Sequence, residues 1–188
     1  MRKMVLNRSL CLPTSRLWAL GIALFILFVD SLSKWAVHHL LPPMSQFPPI
    51  YPYGGIAVFE NFFGIEFSIS HATNRGAAWG MFADYSSLLL AFRIALVLGL
   101  TAYVALSERM PERRIPLALV LAGAVGNIID SFLYGHVVDM FHFVFWGYDY
   151  PVFNIADSAI FVGIALLLVL SWLNTDPCQK KREERGSL

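Results

Sequence analysis

Four stretches of the chain, roughly Leu17 to Leu41, Tyr85 to Leu106, Ile115 to Leu133 and Asn154 to Leu173, are apolar over nearly their whole length. Each is close to the ~20 residues that a helix needs to cross the hydrocarbon core of a bilayer. Composition agrees, because 57% of residues are hydrophobic and only 14% charged, far from the balance of a soluble domain. The chain reads as an α-helical polytopic membrane protein with four transmembrane helices. In 188 residues, four spans leave one sizeable segment outside the membrane, residues 42–84. A single membrane domain over 1–188 is expected, ending in a cytoplasmic tail at 174–188.

Orientation follows from Lys and Arg, which short cytoplasmic loops retain. Arg2, Lys3, Arg8 and Arg16 precede the first span, Arg109, Arg113 and Arg114 separate spans two and three, and Lys180, Lys181, Arg182 and Arg185 follow the fourth. The 42–84 segment carries only Arg75, and the connection from Tyr134 to Phe153 carries neither residue type. Both termini are therefore expected in the cytoplasm. A cleaved signal peptide is the other reading of a basic N-terminus before an apolar run. It is disfavoured here because the run is long, carries Asp30 and Lys34, and ends without a small-residue cleavage site. Cys11 and Cys178 both fall on the cytoplasmic side, where no disulfide is expected. No basic groove points to nucleic acid.

The outward segment opens with the proline cluster LPPMSQFPPIYPYGG and continues as IAVFENFFGIEFSIS, in which β-branched and aromatic residues alternate with polar or small ones. That pattern is strand-like and predicts a small β-rich excursion on the outer membrane surface. The aromatic run HFVFWGYDYPVF reads equally as a cover over a site or as an interfacial belt.

Polar residues gather at one depth. With about 1.5 Å of rise per residue, Asp30 lies roughly 20 Å above the cytoplasmic end of span one, and Asn127 and Asp130 roughly 18 to 22 Å above that of span three. Asp139 follows span three on the outer side, Asn154 and Asp157 open span four there, and Asn74 leads into span two. An intramembrane acid costs on the order of 2.5 to 3.5 kcal/mol, so each is a functional candidate. Structural readings stand beside that one. Asp30 and Lys34, at i,i+4, can pair on one helix face. Asn127 and Asp130 can bridge helices, and Asn154 and Asp157 can cap a helix N-terminus. Arg93 reads as a snorkelling or paired residue. The five histidines, His38, His39, His71, His136 and His142, lack the compact spacing of a zinc motif, so no metal and no other cofactor is expected.

Two acids at one depth, flanked by amides, suit one chemistry. Like charges held close share a proton, so one acid can take a proton from water while the other polarises a carbonyl. The blocks DSLSK at Asp30, NRGAAWG at Asn74, GAVGNIIDSFLYGHVVDM from Gly123 and PVFNIADSAIFVG from Pro151 resemble, in order, the motifs of bacterial lipoprotein signal peptidase, the type II signal peptidase. The resemblance implies an intramembrane aspartyl endopeptidase of the bacterial inner membrane that cleaves diacylglyceryl-modified prolipoproteins just before the lipidated cysteine. It places the catalytic dyad on Asp139 and Asp157, and substrate-binding or supporting roles on Asp30, Lys34, Asn74, Gly76, Asn127, Asp130 and Asn154. It also implies lipid-modified precursors and membrane lipids as partners, with a monomer expected.

The chain departs from the pattern at Ser131, where the family commonly has Arg, a role that Arg75 or His136 is placed to take. Trp79, Met140 and Ser33 are milder departures. A reading from another class is a small transporter or proton-relay subunit, since intramembrane acids also mark ion pathways. The clustering at one interface and the lack of an inverted repeat argue against it.

Overall fold

The structure, a computed structural model, describes residues 12–76, 81, 83–106 and 110–173. Cys11, Cys178, Trp79, Arg109, the N-terminal Arg2, Lys3 and Arg8 and the 174–188 tail lie outside the described residues. Among the described residues four α-helices form: α1 (Leu12–Leu40), α2 (Ser86–Leu106), α3 (Arg114–Leu133) and α4 (Ile155–Leu173). All four are long and apolar enough to cross a membrane. α1 starts at Leu12, ahead of the expected Leu17, because Pro13 sits in the first turn, where its missing N–H costs nothing. α3 stops at Gly135, whose φ of +72° gives the left-handed turn that ends a helix, while Tyr134 N–H donates to the Asp130 carbonyl.

Four antiparallel strands, β1 (Ile56–Phe62), β2 (Ile65–Asn74), β3 (Val137–Phe145) and β4 (Tyr148–Asp149), make one sheet in the order β1-β2-β3-β4. Its two outer hairpins turn on Phe63-Gly64 and Trp146-Gly147, all with positive φ, which matches the right-handed twist of the flanking strands. The excursion expected within 42–84 is thus half of the sheet. The other half comes from the connection between α3 and α4, read from sequence only as an aromatic cover or belt. Val137, Val138, Asp139 and Met140 are all buried, so β3 shows no inside-outside alternation to betray a strand. The aromatics there serve as sheet packing, with Phe67 and Phe143 stacked at 4.2 Å and Phe153 continuing the stack.

α3 and α4 approach most closely. A Cβ at Gly123 would collide with the Ala156 carbonyl, and one at Gly163 would come within 2.7 Å of the Pro116 carbonyl. Small residues let backbones meet in lipid, where packing and polar contacts replace the hydrophobic drive. α2 differs, with no buried residue along its length. The fold therefore sets a tight α1–α3–α4 core beneath the sheet, with α2 leaning on α3.

Candidate active site

The outer end of α4 builds the first part of the site. Asn154 precedes the helix and its Oδ1 accepts the Asp157 N–H at 2.8 Å, while Asp157 Oδ2 accepts the Asn154 N–H at 3.2 Å. This is a reciprocal capping box, so the structural reading of the Asn154–Asp157 spacing is realised. Capping does not exhaust either residue. Asp157 Oδ1 also accepts from the Asn127 amide of α3 at 2.7 Å, and the Asn154 amide reaches across to Asp139 Oδ1 at 2.7 Å.

Asp139 comes from β3, paired in register with Ala72 of β2. Its other oxygen accepts from the Asn74 amide at 3.1 Å, and Asn74 Oδ1 in turn accepts the Gly76 N–H at 2.9 Å. Only 3% of Asp139 is exposed. Burial first, and then the charge of Asp157, push its carboxyl up to about 7 against the opposing pull of the Asn74 and Asn154 amides. Asp139 and Asp157 line one cavity of about 310 Å³, together with Asn74, Asn127, Arg93 and the loop Tyr150 to Phe153. Two acids separated by 17 intervening residues thus share a site because β3 and α4 return side by side.

A second acid pair lies directly beneath. Lys34, fully buried, forms salt bridges with Asp30 Oδ2 at 2.8 Å and Asp130 Oδ2 at 2.9 Å and donates a hydrogen bond to Asn127 Oδ1 at 2.9 Å. Asp30 Oδ1 also accepts the Ala156 N–H of the first α4 turn, and Asp130 Oδ2 the Val138 N–H. The expected Asp30–Lys34 pair exists, but its reach is wider than one helix face. It fastens α1, α3, α4 and β3 together under the Asp139 cavity.

A family model described as signal peptidase (SPase) II matches residues 22–173. The chain belongs to the signal peptidase II family. It is 32% identical over 169 residues to a lipoprotein signal peptidase of Anoxybacillus flavithermus, covering 88% of this chain and 90% of that one. A lipoprotein signal peptidase of Burkholderia vietnamiensis is 38% identical over 153 residues, covering 79% and 84%. Among solved structures, a bacterial membrane enzyme determined by the in meso method at 2.3 Å superposes with a TM-score of 0.71 at 27% identity, over 85% of this chain and 90% of that one.

Two further openings surround the acids of this family member. An apolar groove of about 400 Å³ runs between α2, α3 and α4, lined by residues such as Leu96, Val120, Ala124 and Ile160 and headed by Arg93 and Asn127. A polar cavity of about 240 Å³ holds Ser131 with Arg75, Arg93 and His136. Both residues expected to stand in for the family arginine are therefore beside Ser131. Arg93, read from sequence as a snorkelling or paired residue and not as a third stand-in, donates from Nη2 to the Gly76 carbonyl at 2.8 Å and borders all three openings. A lone guanidinium inside an otherwise uncharged span was the available signal.

Proposed function

We propose that the chain is an aspartic-type endopeptidase of the bacterial inner membrane that removes signal peptides from diacylglyceryl-modified prolipoproteins, cutting just before the lipidated cysteine. Both termini face the cytoplasm in this reading, the site opens at the outer interface, and one chain suffices. The observation that carries it is the pair Asp139 and Asp157, held by amides and lining one cavity that adjoins an apolar groove. The groove suits a hydrophobic signal segment or acyl chain, and the cavity leaves room for a scissile bond beside the acids.

The steps follow from a pair that holds one proton. The ionised carboxylate takes a proton from water as the water oxygen bonds to the scissile carbonyl carbon. The protonated partner gives its proton to the carbonyl oxygen, forming a neutral gem-diol. Collapse of the diol breaks the C–N bond as the acid that took the water proton gives it to the amide nitrogen. One diol hydroxyl returns its proton to the other, now ionised carboxylate, leaving a carboxyl end on the signal peptide, a free amine on the lipidated cysteine and a pair that again holds one proton. Asn127, Asn154 and Asn74 orient the two carboxylates without neutralising them. Asp30, Lys34 and Asp130 support the frame, and Arg93 and Arg75 supply positive charge beside Ser131.

The test is incubation of the purified chain in detergent with a diacylglyceryl-modified precursor, followed by mass spectrometry. A lipidated product with a free N-terminal cysteine is expected, with the unmodified precursor left uncut. Cleavage elsewhere, or equal cleavage of the unmodified precursor, would overturn the assignment.

A further inference from the structure

Three histidines far apart in sequence converge on the outer side of the bundle. His38 lies in the last turn of α1, His71 in β2, and His136 in the turn between α3 and β3. One ring nitrogen of each lies within 4.8 Å of the other two. Each ring also keeps a buried nitrogen with no hydrogen-bond partner: Nδ1 of His38, Nε2 of His71 and Nε2 of His136. A buried polar atom left unsatisfied is costly, so three in one cluster need an explanation.

One of the rings is already set for a ligand. His71 Nδ1 lies 2.9 Å from the Leu41 carbonyl, which can only accept, so the proton sits on Nδ1 and the Nε2 lone pair is free. The His136 ring also meets the Tyr134 backbone. Outer hydrogen bonds of this kind fix the tautomer and orientation of metal-bound histidines. The Tyr134 ring packs on His38 at 4.3 Å and the His71 ring meets its edge at 5.2 Å, which restrict its rotation. His71 is almost wholly buried, while His38 and His136 are half-buried and leave a path for entry.

We infer that His38, His71 and His136 form a binding site for one divalent transition-metal ion, Zn²⁺. An imidazole-only set without thiolate or carboxylate suits zinc, copper or nickel over magnesium or calcium. Three protein nitrogens with a water in the fourth position is an established zinc geometry, at Zn–N distances of ~2.0 to 2.1 Å, and modest side-chain rotation closes the present spacing to that value. The ion takes no part in hydrolysis. It ties α1 to the sheet, three residues upstream of Asn74 in one ligand's strand and three upstream of Asp139 for another ligand, and so stiffens the elements that carry the acids.

The experiment uses the full chain in detergent with a histidine-free affinity tag, stripped by chelator and dialysed, then titrated with Zn²⁺ by calorimetry. Expected are one ion per chain, a raised thermal midpoint, and tetrahedral d–d absorption when Co²⁺ replaces Zn²⁺. His71→Ala and His136→Gln should each weaken binding at least ~10-fold, and the exposed His39→Ala should bind as the parent does. His136→Gln, at a half-exposed turn position, keeps the test decisive if His71→Ala fails to fold. No saturable Zn²⁺ binding by the parent, or unchanged binding in His136→Gln, would overturn the site whether or not the chain cleaves precursors.

Discussion

Two pairs of acids, linked through Asn127, which accepts from Lys34 and donates to Asp157, are partnered in opposite ways. Asp30 and Asp130 share a lysine ammonium and accept backbone N–H groups at the ends of α4 and β3. Among the described residues Asp139 and Asp157 meet no ammonium; their partners are the amides of Asn74, Asn127 and Asn154 and one backbone N–H. The ammonium ties the first pair into the frame, whereas the neutral donors around Asp139 leave its carboxyl, held up at about 7 by burial and by the charge of Asp157, able to exchange a proton near neutral pH. The difference separates acids that build the frame from acids that can do chemistry. Position in the membrane alone would not have separated them.

The largest expected effect is on turnover. Asp157→Asn should lower kcat by ~10²- to 10⁴-fold, the usual share of a general acid or base. Its amide oxygen can still accept the Asn154 N–H, so the thermal midpoint should stay near that of the parent. Turnover within tenfold of the parent would reduce Asp157 to a cap and erase the distinction between the pairs.

Lys34→Met reverses the pattern. Removing the ammonium leaves Asp30 and Asp130 buried without their shared partner, a loss of about 3 to 5 kcal/mol when a buried pair is broken. Denaturation in mixed micelles should show that loss, and any surviving folded fraction should keep its acid pair. Unchanged stability would mean that the lysine is not the fastener of the bundle.

The third effect is on pH dependence. With the Asp139 carboxyl held up at about 7, kcat/KM should fall about tenfold per unit as pH rises beyond that value, because the shared proton is lost. The same group binds its proton more tightly folded than unfolded. Its contribution to stability is therefore full below the unfolded carboxylate value of ~3.9 and is lost as pH rises toward 7. A flat kcat/KM profile through pH 9 would contradict an acid that must stay protonated.

Ser131→Arg should have the smallest effect. A guanidinium in the cavity beside Asn74 and Arg93 would make the second pair resemble the first, moving the basic limb to lower pH by less than about one unit. A pH profile of the variant reads this directly. Movement of the limb to higher pH would show that the added charge does not face the acids.

How much of this was legible in the sequence depends on range. The spans, the Asp30–Lys34 spacing and the Asn154–Asp157 cap are local, and periodicity or a three- or four-residue offset reveals them. Asp130 as the second partner of Lys34 and the convergence of His38, His71 and His136 depend on how helices and strands return, which no local spacing encodes. β3 was hidden because both of its faces are buried, and Arg93 because a single charge in a span reads as snorkelling until its neighbours are known.

The most direct measurement runs Asp139→Asn and Asp130→Asn side by side, each scored for cleavage of a diacylglyceryl-modified precursor and for thermal unfolding in the same detergent. Asp139→Asn should be folded and inactive, since its amide can still meet a neighbouring amide but cannot exchange the proton. Asp130→Asn should lose stability first, with activity following only the folded fraction. An active Asp139→Asn protein, or an Asp130→Asn protein that is fully stable yet inactive, would contradict the division between framing and reacting acids.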